Sequence, residues 1–137
     1  MILIDTTVII DIARKVEASK EAIEIHIGDE FAISAITLEE IYAGLGHTLE
    51  RKGKDFFLKV KEGYEKILSQ YTILEVTERI LKKAGMFRGY CSAKGLIIDQ
   101  ADAIINATAE INKIEVISRN PDHFKESQVK IHSYKKS

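Results

Sequence analysis

Short apolar runs and amphipathic stretches alternate along this chain. Ile2–Ile4 is a fully apolar run of the kind that forms a strand buried on both faces. The spacing predicts a helix from about Thr7 to Arg14, and a second one capped by Ser19 and ending near Gly28. Phe31–Ser34 reads as a strand, and Thr37 is placed to open a helix carrying Leu38, Ile41 and Leu45. Residues 54–68 form an amphipathic stretch with Phe57, Val60, Tyr64, Ile67 and Leu68 on one side. A strand over 71–76 and a helix from Thr77 to about Lys94 follow. Asp99 opens a helix through Ala103, Ile104, Ala107 and Ile111. A strand over 114–118, a turn at Asn120-Pro121 and a last strand over 129–132 complete the chain. This alternation predicts an α/β protein: a central, twisted, mainly parallel sheet with helices on both faces, an α/β/α sandwich. No repeat or linker divides it, so residues 1–137 are expected to form one domain, with the basic tail from about 133 frayed.

Composition narrows the function. The 137 residues are 45% hydrophobic, enough for an ordinary core. Lys and Arg number 20 against 21 Asp and Glu, a formal net charge of −1, so nucleic acid is not held here by bulk positive charge. A local patch, or metal ions bridging acidic groups to phosphates, would have to hold it. The single cysteine, Cys91, excludes an internal disulfide and a multi-cysteine zinc site. The apolar start is broken by Asp5, too early for a signal-peptide core, and no run approaches a membrane span. The expected setting is the cytoplasm.

In open parallel sheets, sites form where strands end and helices begin. Asp5 follows the first strand, and Glu40 lies in the helix after the second. Asp99 and Asp102 open a later helix, and Arg119, Asn120 and Asp122 follow the strand over 114–118. Each has a structural alternative. Thr37 and Glu40 have the spacing of a capping box, Asp99 and Asp102 suit a helix N-terminus, and Asp122 suits a turn. Those alternatives do not account for acids recurring at one sheet edge. Crowded carboxylates repel, and a divalent cation with oxygen ligands, Mg²⁺ or Mn²⁺, relieves the repulsion.

Four blocks carry a family resemblance: 2–11 (ILIDTTVIID), 33–44 (ISAITLEEIYAG), 102–109 (DAIINATA) and 117–124 (ISRNPDHF). In this order and over nearly the whole chain, they resemble the PIN domain, and within it the VapC-type toxins of toxin–antitoxin pairs. The resemblance implies a PIN-like fold and a Mg²⁺- or Mn²⁺-dependent endoribonuclease hydrolysing RNA with a metal-activated water. It implies that Asp5, Glu40 and Asp102 are metal-binding carboxylates. Asn120 stands at a fourth position where many members have Asp, which removes one charge, and Asp122 is placed to compensate. Thr6 and Ser118 match small hydroxyl positions beside the acids, and Asp99 supports them. Arg119, Arg14 and Arg88 are candidate RNA-phosphate contacts. His26, His47, His123 and His132 form no close ligand pair, and His123 reads as packed or capping. The resemblance further implies a homodimer and a small antitoxin whose extended or helical segment enters the active-site groove.

Other readings fit less well. A haloacid-dehalogenase-type phosphatase needs Asp where Thr7 stands, a response-regulator receiver needs paired acids where Asp5-Thr6 stands, and no phosphate-binding Gly-rich loop is present. An RNA-processing or quality-control PIN nuclease remains open. So does a non-catalytic PIN-like module binding RNA or protein, which only Asn120 favours.

Overall fold

The computed structural model of the protein describes residues 1–136. Five strands form one sheet in the order β3-β2-β1-β4-β5, and every pairing is parallel. The strands are β1 (Ile2–Ile4), β2 (Phe31–Ser34), β3 (Thr72–Leu74), β4 (Glu115–Ser118) and β5 (Ile131–Ser133). All carboxyl ends therefore meet at one edge. The order reverses at central β1, whose neighbours β2 and β4 leave a crevice beyond its end.

Six helices cover the sheet: α1 (Thr6–Ala13), α2 (Glu17–Glu24), α3 (Ala35–Lys52), α4 (Lys54–Leu68), α5 (Glu78–Ala93) and α6 (Gln100–Asn112). Strand alternation sends Ile2, Ile4, Ile33 and Ile117 to one face, where they pack with Val8, Ile9, Ile41, Leu45 and Leu68 of α1, α3 and α4. Leu3, Ala32 and Val116 go to the other face, against Ile105 and Ala109 of α6 and Phe124. On that side α5 packs on α6 through Ile80, Ala84, Ala103, Ile104 and Ala107.

Several expected boundaries move. Thr37 does not open α3. Ser34 does, its hydroxyl accepting from the Ile36 N–H at 3.3 Å, and Thr37 is wholly buried within the helix. The Ser34 cap outcompetes Thr37 because the chain turns from strand to helix without a loop. Ser19 likewise lies inside α2, buried, its hydroxyl donating to the Val16 carbonyl, and α2 ends at Glu24. Thr77 does cap α5, accepting from the Ile80 N–H at 3.2 Å. The last strand begins at Ile131, two residues later than expected. A short 3-10 helix, Pro121–Phe124, replaces the expected turn. The tail is not free as far as Tyr134, which packs on the α1–α4 core and donates to Asp11 at 2.7 Å. Ser137 lies outside the described residues.

Candidate active site

Asp5 follows β1 directly and is 1% exposed. It occupies the N-cap position of α1, yet its side chain caps nothing. Its Oδ2 accepts from the Ser118 hydroxyl at 2.6 Å and the Thr7 hydroxyl at 2.9 Å. Oδ1 receives no hydrogen bond from the described residues. Ser118 in turn accepts from the Asn120 N–H at 3.0 Å. Asp5 and the segment leading to Asn120 are thus tied through one hydroxyl.

Glu40 sits in the second turn of α3, so the capping-box alternative fails: no N-cap hydroxyl stands three residues before it. The Thr6 hydroxyl donates to Glu40 Oε1 at 2.7 Å and lies 2.9 Å from the Thr37 hydroxyl. Glu39 beside it is exposed. Burial pushes the Glu40 carboxyl above its ordinary range, the Thr6 hydrogen bond pulls it back, and the charges of Asp5, Asp99 and Glu39 add to the rise.

Asp99 occupies the N-cap position of α6 without a capping hydrogen bond, and Asp102 lies in the first turn. Burial, and then the charges of Asp5, Asp99 and Glu40, raise Asp102 to about 6 against the opposing influence of His123. His123 Nδ1 lies 2.9 Å from Asp102 Oδ2. The approach is close but misaligned, and this buried nitrogen makes no hydrogen bond to the described residues. Thr7, Glu40, Asp99, Asp102 and His123 line one cleft of about 490 Å³, with Ile97 and Ile98 as an apolar lip.

Asp5 and Asp99 lie near enough for their charges to raise the carboxyls of Glu40 and Asp102, and Glu40 adds to the rise at Asp102. Among the described residues, no three Asp, Glu, His or Cys side chains already enclose a point where an ion would sit. The cluster is open, not a closed cage. Its donors nevertheless fit Mg²⁺ or Mn²⁺ in kind: hard oxygens, like-charged and partly desolvated. Mg²⁺ keeps several waters and takes only one or two carboxylates, so an open cluster suffices.

A family model described as the PIN domain matches residues 2–129, nearly the whole chain. The chain belongs to the PIN domain family. A comparison with curated protein sequences gives no match. Solved structures do match. FitAcB from Neisseria gonorrhoeae is 27% identical, with a TM-score of 0.82 over 97% of each chain. VapBC2 from Rickettsia felis, bound to a DNA fragment from its promoter, is 20% identical, with a TM-score of 0.82 over 97% of this chain and 98% of that one. A toxin–antitoxin complex from Klebsiella pneumoniae is 24% identical, with a TM-score of 0.77 over 98% of this chain and 99% of that one. These likenesses establish a PIN-like α/β/α fold.

Within this PIN domain, other expected site residues are placed differently. Asp122 is exposed and lines a neighbouring groove with Leu96, Lys125 and Glu126, which shares Ile97 and Ile98 with the acid cleft. Arg119 is committed to an internal ion pair, Nη1 to Asp11 Oδ1 at 2.6 Å, instead of standing free for phosphate. Arg88 is exposed, and its Nε donates to the Ile98 carbonyl at 3.4 Å, holding the lip. Arg14 is exposed at a groove between α1, α3 and α4 that also reaches Glu40. Sequence reasoning missed Thr7, Thr37, Asp11 and Tyr134 as participants and undervalued His123. Asp11 carried a legible signal: it falls three residues after Val8, on the buried phase of α1.

Proposed function

We propose that this PIN domain is a Mg²⁺- or Mn²⁺-dependent endoribonuclease and the toxin of a toxin–antitoxin pair. One observation carries the reading. Asp5, Glu40 and Asp102 gather beyond the carboxyl end of β1, and none of them is used to cap a helix. Holding such like charges together costs stability, and a bound cation with a phosphodiester offsets that cost.

Asp5, Glu40 and Asp102 would hold the cation, one or two of them directly and the rest through its retained waters, with the amide oxygen of Asn120 as a neutral fourth donor and Asp99 as a nearby charge. When bound, the cation supplies an activated water and offsets charge on the phosphate oxygens. The chain's own residues do the rest. Thr7 and Ser118 fix one oxygen of Asp5, and Thr6 fixes one oxygen of Glu40, which limits the rotamers these ligands lose on binding. Ile97 and Ile98 give one side of the cleft an apolar wall. Arg14, exposed along the adjoining groove, would meet an RNA phosphate there.

The same groove, about 400 Å³ and lined by Ile10, Ala13, Ile41, Leu45, Phe56 and Val60, suits an apolar antitoxin segment. Such a segment would lie beside Glu40 and block the cleft. The solved relatives include a complex named as a toxin–antitoxin complex, which supports an antitoxin partner here. We place the pair in the cytoplasm and read the toxin as a homodimer. No helix among the described residues is long and apolar enough to cross a membrane.

The test is cleavage of a pool of structured and single-stranded RNA by wild type and Asp102→Asn, purified identically and freed of partner. Each is assayed with Mg²⁺, with Mn²⁺ and with chelator. Metal-dependent cutting by wild type alone is expected. Equal cutting by both would identify a contaminant and remove the proposal. No cutting by either would favour a binding module, with Asn120→Asp as the first reversion to try.

A further inference from the structure

Asp11 is the most deeply buried charge outside the acid cleft, with no exposed surface. Both of its oxygens are used: Oδ1 takes Arg119 Nη1 at 2.6 Å and Oδ2 takes the Tyr134 hydroxyl at 2.7 Å. These partners lie 108 and 123 residues away along the chain. A buried ion pair of this kind is seldom needed for stability, because apolar residues of similar volume serve as well. What a pair gives is direction, and here the direction concerns the site.

Arg119 stands between Ser118, which donates to Asp5, and Asn120, whose N–H donates to Ser118. The end of β4 is pinned to the α1 segment twice, through Ser118 to Asp5 just before the helix and through Arg119 to Asp11 in its second turn. The Asp5 N–H adds a third tie, donating to the Ile117 carbonyl at 3.0 Å. Tyr134 brings the segment after β5 onto the second pin.

We propose that Asp11, Arg119 and Tyr134 are positioning residues for the active site: together they fix the backbone between Ser118 and Asn120 relative to Asp5, and Arg119 serves this purpose and not RNA binding. The inference rests on the nuclease reading. It predicts that loosening the pin lowers turnover and cation affinity and leaves RNA affinity alone.

Tyr134→Phe is the gentlest variant, removing one hydroxyl. Asp11→Asn and Arg119→Lys remove a charge and the guanidinium fork. Three readouts separate the outcomes: thermal midpoint, the kcat and KM of cleavage, and Mn²⁺ binding without RNA, from free Mn²⁺ counted by electron paramagnetic resonance. For Tyr134→Phe we expect kcat lowered about tenfold at unchanged KM, since small misplacements of reacting groups cost this much or more. Mn²⁺ binding should weaken several-fold, and Arg119→Lys should follow the same pattern with a larger loss. If Arg119→Lys instead raises KM and flattens its salt dependence at unchanged kcat, arginine binds phosphate and the inference falls. It falls equally if Tyr134→Phe shifts only the thermal midpoint. Should Asp11→Asn fail to fold, Tyr134→Phe decides alone. A wild type that binds Mn²⁺ without cutting RNA removes the nuclease reading, while the Mn²⁺ comparison still judges the pin. A wild type that does neither overturns both.

Discussion

Two neighbouring glutamates of one helix have different fates. Glu39 is exposed, whereas Glu40 is half-buried and held by Thr6, itself in contact with Thr37. The pair Thr6–Thr37 is a buried hydroxyl contact with no bearing on helix capping. Glu40→Gln should therefore abolish metal-dependent cleavage with a small change in the urea midpoint. Thr37→Ala should lower both stability and activity, because it removes the buried hydroxyl contact that holds the Thr6 hydroxyl in place to donate to Glu40. A Thr37→Ala variant of full activity would show that Thr6 orients Glu40 unaided. Asp102 gives a second residue-scale expectation. Its carboxyl holds a proton more tightly when folded, at about 6, than its ordinary value of 3.8. That stabilisation is complete below the ordinary value and is lost as pH rises through about 6. Asp102→Asn lacks this loss. The thermal midpoint of the variant should therefore gain on the metal-free wild type between about pH 4 and 6.5. A gap that stays constant over that range would mean that Asp102 titrates normally.

At the scale of elements, the junction of β2 and α3 is the instructive one. Ser34 ends the strand, caps the helix and is wholly buried. Ser34→Ala should cost about 1 kcal/mol in chemical denaturation, the usual worth of an N-cap. It should leave the cleft chemistry intact, because no acid depends on that hydroxyl. A cost near zero would assign the start of α3 to packing alone. The helix α3 also carries Ile41 and Leu45 into the core, one and five residues beyond Glu40. The side chain that faces the cleft is thus fixed by the same packing that holds the sheet.

The whole molecule sets all-parallel strands against one another so that separate stretches of chain deliver carboxylates to one crevice. Stability and function oppose each other there, since the acids repel when no cation is present. Mg²⁺ or Mn²⁺ at neutral pH should raise the thermal midpoint of wild type in proportion to the logarithm of its concentration once binding saturates. Asp5→Asn and Asp102→Asn should show a much smaller rise, by differential scanning fluorimetry. An equal rise in all three would indicate general screening, not a site.

Much of this was legible along the chain, for definite reasons. Apolar runs with period two and stretches with period 3.6 report burial directly, so the strands at 2–4 and 31–34 and the helix at 54–68 appear where the pattern puts them. The strand ends then named Asp5 and Glu40, because an acid just past a buried strand has few structural uses. What the chain could not show is competition between groups distant in sequence. Whether Thr37 or Ser34 caps α3 depends on how β2 pairs, and Thr37 is instead taken by Thr6, 31 residues away. Arg119 looks like a phosphate ligand until Asp11 is found beside it, and the tail looks free until Tyr134 closes on the same carboxylate. Sequence determined the elements and the kinds of atom offered at the sheet edge, because hydrophobic periodicity is local. Only the tertiary structure decided which polar groups remain available there, because a charge is spent or free according to neighbours that the fold alone supplies.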